Sequence, residues 1–278
     1  LKSSKNNNYL AESYNLRLLT TGRELIELNK KISIKNRNPL VVANPNFDKN
    51  KFFDQKNNKQ FQNSSDQVRS LDLKSKLWSP LPGTIDEGKE ISNLLKTELI
   101  DGDKATVLSI QDKKKPKLIH IASHSYYLPT IKGNEDSMLR SGIVLAGANN
   151  PEFDSSDDGY LTSLEITKLD WDGTQLVVIS GCESGKGDIL NGEGVYGLKR
   201  AIAVAGARSS LLSLWKVDDE ATAAFMKSFY KKLIIGKGRA DALAQTQKEF
   251  RNHSNKKYNQ PYVWAAFQLS GDWRPIDF

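Results

Sequence analysis

The sequence predicts an α/β fold in which a mainly parallel sheet is sandwiched between helices. Near-continuous Val/Ile/Leu runs recur along the chain, a pattern typical of strands that are buried on both faces. Segments with helical spacing of apolar residues and with capping signals lie between these runs. This alternation indicates a parallel sheet covered on both sides. No internal repeat or clean linker is visible, so one domain over residues 1–278 is predicted.

Each predicted element has a local reason. Apolar runs, bounded by Asn-Pro, Gly or polar residues, predict strands over 38–45, 117–123, 141–147, 174–181, 208–215 and 261–271. Capping-box spacings at Thr84/Glu87 and at Thr162/Glu165 predict two helix starts. Further helices are predicted over "GVYGLKRAIAVAGA", which ends at Gly206, and from about 219 and 238.

Basic charge is concentrated in the N-terminal part of the chain. Residues 1–77 contain 15 lysines and arginines against 7 aspartates and glutamates, a net charge of +8; residues 78–278 contain 25 against 26, a net charge of −1. The polar, asparagine-rich stretch near 48–72 predicts a solvated, partly disordered insertion. Its lysines follow no helical period, which argues against direct nucleic-acid binding.

Cysteine usage and hydropathy restrict the cellular setting. The single cysteine excludes an internal disulfide and favours a reducing, cytoplasmic compartment. No apolar run approaches the roughly 18 residues of a membrane span, so no membrane partner is expected. No metal or cofactor is expected, because "GCESGKG" lacks P-loop spacing and "GEGVYG" does not directly follow its strand. The start at Leu1, without methionine, indicates an upstream domain.

Two residue types with nucleophilic chemistry follow predicted strands. Cys182 comes directly after "LVVISG", and His124 comes directly after "KLIHIAS". Reactive groups in parallel sheets gather beyond the carboxyl ends of the strands. If the two strands are neighbours, the imidazole and the thiol face each other, and the imidazole favours the nucleophilic thiolate. Gly181 and Gly185 predict an exposed turn around the thiol.

The residues alone leave a second interpretation open. A lone cysteine is commonly a small buried hydrophobe, and Cys182 fits that description as well. His120, inside "LIHIA", is predicted to be a core residue. Its four-residue separation from His124 spans about 13 Å along a strand, which is too far for both to bind one metal ion.

The motifs together resemble the CHAT domain. The resemblance rests on "LIHIASHS", "DGYLTSLEITKLDWDGTQLVVISGCESGKGD", "GEGVYGLKRAIAVAGARSSLLSLWKVDDEAT" and "YVWAAFQLSGDW", and it extends to "PLVVANPNF" and "LPGTIDEGKEISNLL". It implies a caspase-like fold related to separase, with a catalytic core over 78–278. Many members are fused to tetratricopeptide repeats (TPR) and act in bacterial defence or signalling.

The resemblance also implies site residues. A catalytic dyad falls on His124 and Cys182, and it implies hydrolysis of protein substrates through a thioester. The backbone N–H groups of Ser125 and Cys182 would hold the oxyanion. Many relatives have glycine after the histidine, where this chain has Ser125. Metacaspases have an aspartate two residues before the cysteine, where this chain has Ser180.

The separase branch implies a preference for a basic residue at P1, on the amino side of the cleaved bond. In that branch an acidic residue of a "W-x-V-x-D" stretch meets the P1 side chain, and the matching residue here is Asp219, with Asp218 adjacent. Both are S1 candidates, although aspartate is also favoured at a helix start.

Two functions therefore remain open. The first is a cysteine endopeptidase regulated by an upstream TPR or sensor region or by a partner. The second is a catalytically silent interaction module with the caspase-like fold. The intact dyad favours the first.

Overall fold

The computed structural model describes residues 17–20, 22, 24–29, 37–49, 76–128, 138–150, 157–181 and 193–278. Cys182 lies outside these residues, as does the predicted insertion beyond residue 49.

Strands and helices alternate through most of the chain. The strands are β1 (Leu40–Pro45), β2 (Leu99–Gly102), β3 (Leu118–Ala122), β4 (Ser125–Tyr127), β5 (Ser141–Val144), β6 (Tyr160–Thr162), β7 (Leu176–Ile179), β8 (Ser209–Ser213) and β9 (Phe267–Gly271). The helices are α1 (Glu24–Glu27), α2 (Gly83–Leu95), α3 (Val107–Gln111), α4 (Ser163–Ile166), α5 (Glu193–Val204), α6 (Asp219–Ile234), α7 (Arg239–Arg251) and α8 (Pro261–Trp264).

Among the described residues, six strands form the central sheet, in the order β2-β1-β3-β7-β8-β9. These first five strands are parallel, and β9 runs antiparallel to its neighbour β8. The prediction of a mainly parallel sheet is therefore confirmed. A smaller antiparallel sheet, β4-β5-β6, follows the carboxyl end of β3.

Helices cover both faces of the central sheet, as predicted. On one face Val41, Leu118 and Leu211 pack with residues of α2, α6 and α7, including Phe225 and Phe229. On the other face, the alternate strand residues pack with α3, α4 and α5. This second layer includes the strand residues Val42, Ile119 and Val177 and the helix residues Ile110 and Ile202. Successive strand side chains point to opposite faces, so continuous apolar runs serve both layers.

One of the two predicted capping boxes is absent, and the other is present. Helix α2 has Pro82 at its N-cap and no side-chain cap; Thr84 donates to Leu81 O, and Glu87 points into the core, so this capping box is absent. The second capping box, Thr162/Glu165, is confirmed.

The last strand, predicted over 261–271, begins later in the structure than the sequence indicates. Residues 261–264 form helix α8, because Pro261 occupies a first-turn position that suits its fixed φ and missing N–H. Strand β9 begins only at Phe267. None of the helices in the described part of the chain is long and apolar enough to span a membrane.

Candidate active-site cleft

The strands that precede His124 and Cys182 are direct neighbours. β3 and β7 pair in parallel, with Ile121 opposite Ile179, and Ser180 N–H donates to Ile121 O at 3.1 Å. A Cβ on Gly181 would lie 1.3 Å from the carbonyl oxygen of Ser123, so only glycine fits there. The chain leading into Cys182 therefore passes against the backbone that leads into His124, which is the condition that the predicted pair requires.

His124 is held rigidly at the end of β3. Val144 N–H donates to His124 O at 2.8 Å, and Ser123 Oγ donates to Val144 O. The imidazole is 4% exposed and lies between two aromatic rings, with centroid separations of 5.2 Å to Phe47 and 5.3 Å to Trp78. These contacts fix the position of the ring before any substrate binds.

The hydrogen bond of His124 fixes its tautomer. Nε2 lies 2.8 Å from the carbonyl oxygen of Ser79, and a carbonyl can only accept, so Nε2 carries the proton. Burial lowers the pKa of His124, the Ser79 carbonyl opposes this, and the charge of Lys216 lowers it further. A neutral ring with Nε2–H leaves Nδ1 as the nitrogen that can accept a thiol proton.

The pKa of His124 is expected to rise when Lys216 is replaced by glutamine. A positive charge beside the imidazole disfavours the imidazolium form, so its removal allows protonation at higher pH. Lys216 is exposed, so the shift should be less than about one pH unit and should shrink with salt. The measurement is an NMR titration of the histidine ring protons in a Cys182→Ala background. Lys104→Gln, at an exposed lysine, is the control; an unchanged midpoint in Lys216→Gln would contradict the expectation.

Ser125, the predicted oxyanion residue, begins β4. It lies opposite Ile143 of β5. The hydrogen bonds between these two strands are made at the even-numbered positions: Val144 N–H donates to His124 O, and Leu128 N–H donates to Arg140 O. Because ladder bonds alternate along an antiparallel pair, the Ser125 N–H points away from β5. Its φ is not positive, so serine causes no backbone strain here.

His124 lines a cleft at this end of the sheet, where the empty space, open solvent included, is about 390 Å³. Gly181 lies on the same wall as His124. The remaining lining residues come from α2 and the loop before it, from the residue that follows β7, from the loop after β8 and from α6: Leu81, Thr84, Glu87, Ser180, Lys216, Val217, Asp219 and Thr222.

Of the two predicted S1 acids, Asp219 is the one in the cleft. It is the first residue of α6, and its backbone and side chain contact Gly83 so closely that a Cβ on Gly83 would lie 2.3 Å from Asp219 Cβ. Burial raises the pKa of Asp219, and the charges of Asp218 and Glu87 raise it further, against the opposing effects of Lys216 and of the Gly83 N–H.

Asp218 has a different role in the structure. It is the N-cap of α6, accepting from Ala221 N–H at 3.2 Å, and it lies 2.9 Å from Lys257 Nζ. The hydrogen bond from Lys257 holds the pKa of Asp218 low, against partial burial. The capping interpretation of Asp218 thus fits its position, and it is not among the described residues that line the cleft.

The loop that carries Asp219 is anchored from α8. Trp215 Nε1 donates to Tyr262 O at 2.7 Å, and Tyr262 O–H donates to Lys216 O. Lys257 adds an ion pair with Glu220 at 2.7 Å. These contacts hold the start of α6 at the cleft.

Sequence reasoning misses four groups of this cleft. The Ser79 carbonyl orients His124, but backbone groups leave no residue signal. Lys216 precedes the S1 candidates in the loop after β8, but nothing in the sequence indicates that its charge acts on His124. Ser180 is notable in the sequence only because metacaspases have an aspartate at that position. The spacing of Glu87 predicts a helix cap, although its placement one turn before Ile91 on an apolar helix face could have indicated burial.

Comparisons with known proteins identify the family of the chain. The sequence matches the CHAT domain family over residues 1–272. It is 26% identical over 301 residues to human tetratricopeptide repeat protein 28, covering 98% of this chain and 11% of that protein. The mouse protein of the same name is 27% identical over 217 residues, covering 70% of this chain and 9% of that protein. The chain thus spans about a tenth of the length of these relatives.

Solved structures show the same fold at low sequence identity. The Arg specific cysteine proteinase gingipain R superposes with a TM-score of 0.51 at 10% identity, covering 91% of this chain and 51% of that one. A complex of the pro- and mature domains of a Porphyromonas gingivalis gingipain gives 0.50 at 12% identity, covering 91% and 52%. The predicted caspase-like fold is confirmed, and with the match over 272 residues the chain belongs to the CHAT domain family.

Proposed function

We propose that this chain is a cysteine endopeptidase in which His124 and Cys182 form the catalytic dyad. The observation that carries the proposal is the position of His124, a neutral, oriented imidazole that lines a cleft together with Gly181, the residue before Cys182. β3 and β7 bring these two chain segments side by side.

The proposed reaction begins with proton transfer from the Cys182 thiol to His124 Nδ1. The thiolate attacks the scissile carbonyl carbon, and the resulting oxyanion accepts from the N–H groups of Ser125 and Cys182. The imidazolium then gives its proton to the leaving amine, which departs and leaves a thioester. Water, deprotonated by His124, hydrolyses the thioester and restores the thiol.

The substrate is proposed to be a protein cleaved after a basic residue. Asp219 offers a half-buried carboxylate in the same cleft as His124, which is suited to a P1 cation. The name of the curated relatives supports an association with tetratricopeptide repeats, and regulation by an upstream TPR region or by a partner is part of this proposal. The role in bacterial defence or signalling stays a prediction from the family resemblance.

The direct test is covalent labelling by a peptide with arginine at P1 and a thiol-reactive acyloxymethyl ketone. We expect one adduct, on Cys182, by mass spectrometry. His124→Ala should slow labelling strongly because the thiol loses its base. His253→Ala, at a partly buried histidine of the described C-terminal part that does not line the cleft, is the matched control and should label at the native rate. A rate unchanged by His124→Ala would favour the interaction-module alternative.

A further inference from the structure

The cleft contains two buried polar side chains whose hydrogen-bonding capacity is unused. Glu87 is 1% exposed and Ser180 is 5% exposed. Glu87 Oε1 and Ser180 Oγ make no hydrogen bond within the described ranges, although both residues line the cleft. Buried polar atoms are bonded in nearly all native structures, so two such atoms in one cleft indicate a polar ligand.

Glu87 faces an imidazole, but the pair is not a satisfied ion pair. His120 Nε2 lies 3.1 Å from Glu87 Oε1, yet the two are not aligned as a hydrogen bond. His120 Nδ1 lies 3.1 Å from Tyr230 Oη. Burial, with the charge of Glu87, raises the pKa of Tyr230 well above its ordinary value, so the phenol keeps its proton.

The Tyr230 phenol therefore orients His120 beneath the cleft. The contact with Tyr230 occupies Nδ1, and the other ring nitrogen, Nε2, lies beside Glu87 without the alignment of a hydrogen bond. Lys216 is the one lysine or arginine among the described residues that line the cleft. It is exposed, and its charge also lowers the pKa of Asp219.

We propose that Glu87 is a second acidic specificity residue, which with Asp219 and Ser180 binds the guanidinium of an arginine P1 side chain in preference to a lysine ammonium. This inference rests on the proposed peptidase function. A guanidinium presents five N–H donors in a planar fork, enough for two carboxylates and a hydroxyl, whereas an ammonium presents three from one point. His120 and Tyr230 are positioning residues, because they act only through Glu87.

The test compares Glu87→Gln with the native chain on two fluorogenic peptides that differ only in arginine or lysine at P1. The substitution keeps the side-chain shape and removes the charge. We expect kcat/KM for the arginine peptide to fall about tenfold or more, and the arginine-to-lysine ratio to fall towards one. Glu90→Gln, on the same helix but paired with Lys227 at 2.7 Å, is the matched control and should change neither.

A structural role for Glu87 predicts a different result. In that case Glu87→Gln lowers the thermal unfolding midpoint and leaves the arginine-to-lysine ratio unchanged, and this outcome overturns the proposal. The proposed function is tested separately, because it fails if the native chain cleaves neither peptide.

A binding measurement tests the proposed role of Glu87 even if the chain does not cleave the peptides. Nα-acetyl-arginine amide and Nα-acetyl-lysine amide are titrated into the Cys182→Ala chain and followed by NMR. We expect tighter binding of the arginine compound and loss of that difference in Glu87→Gln. Equal binding of the two compounds to the Cys182→Ala chain overturns the proposal.

Discussion

Replacing Cys182 with alanine is expected to reduce peptide hydrolysis by roughly 10⁴-fold or more while the fold persists. The thiolate forms the covalent intermediate in the proposed mechanism, and no other cysteine can replace it because the chain contains one. The substitution removes a single sulfur atom, so the free energy of unfolding should change by about 1 kcal/mol or less. The measurements are kcat/KM on a peptide with P1 arginine and a denaturant-unfolding curve.

The Cys182→Ala result separates the two functions that the sequence leaves open. A silent interaction module would show no turnover in either chain, and Cys182→Ala would then leave partner binding unchanged. Turnover in the native chain that survives in Cys182→Ala would exclude the thioester mechanism. His124→Ala provides the second arm of the comparison, since loss of the base should reduce turnover without removing the nucleophile.

The sequence predicts the parts of the fold that depend on long apolar runs. β3 and β7 are buried on both faces, so burial in the core explains every residue of "LIHIA" and "LVVI". The polar residues that follow these strands have no such explanation and are therefore candidates for a functional site. The position of His124 beyond the end of its strand therefore follows from the apolar pattern alone. The neighbouring order of β3 and β7 does not, because strand order depends on contacts between segments that are distant in the chain.

The errors arise where a local signal and tertiary packing compete. Thr84 and Glu87 have capping-box spacing, but the same spacing places both on the buried face of α2, and Glu87 meets His120. β4 and β6 have three residues each, too few for periodicity to show. The Ser79 carbonyl, which orients His124, is a backbone group that any residue type could supply.

Asp219→Asn is expected to weaken strongly the preference for a basic P1 residue. Charge-assisted hydrogen bonds contribute roughly 1.5–3 kcal/mol each, so a carboxylate that binds a guanidinium through two bonds favours arginine over leucine by about 100-fold or more. Because Asp219 is half-buried, solvent screening reduces this figure towards its lower end. Burial raises the pKa of Asp219, so this carboxylate takes up a proton at a higher pH than an ordinary aspartate does. As the solution is acidified, the preference for a basic P1 residue should therefore be lost at a correspondingly higher pH.

The matched control for Asp219→Asn is Asp218→Asn, one residue earlier. Asp218 caps α6 and pairs with Lys257, so asparagine, itself a good cap, should leave P1 preference intact and stability within about 1 kcal/mol. Both variants and the native chain are assayed on peptides with arginine, lysine or leucine at P1. The expected result is a fall in arginine cleavage for Asp219→Asn alone, with leucine cleavage little changed. Equal cleavage after arginine and leucine by the native chain, or a native arginine preference in Asp219→Asn, would remove Asp219 from the S1 pocket.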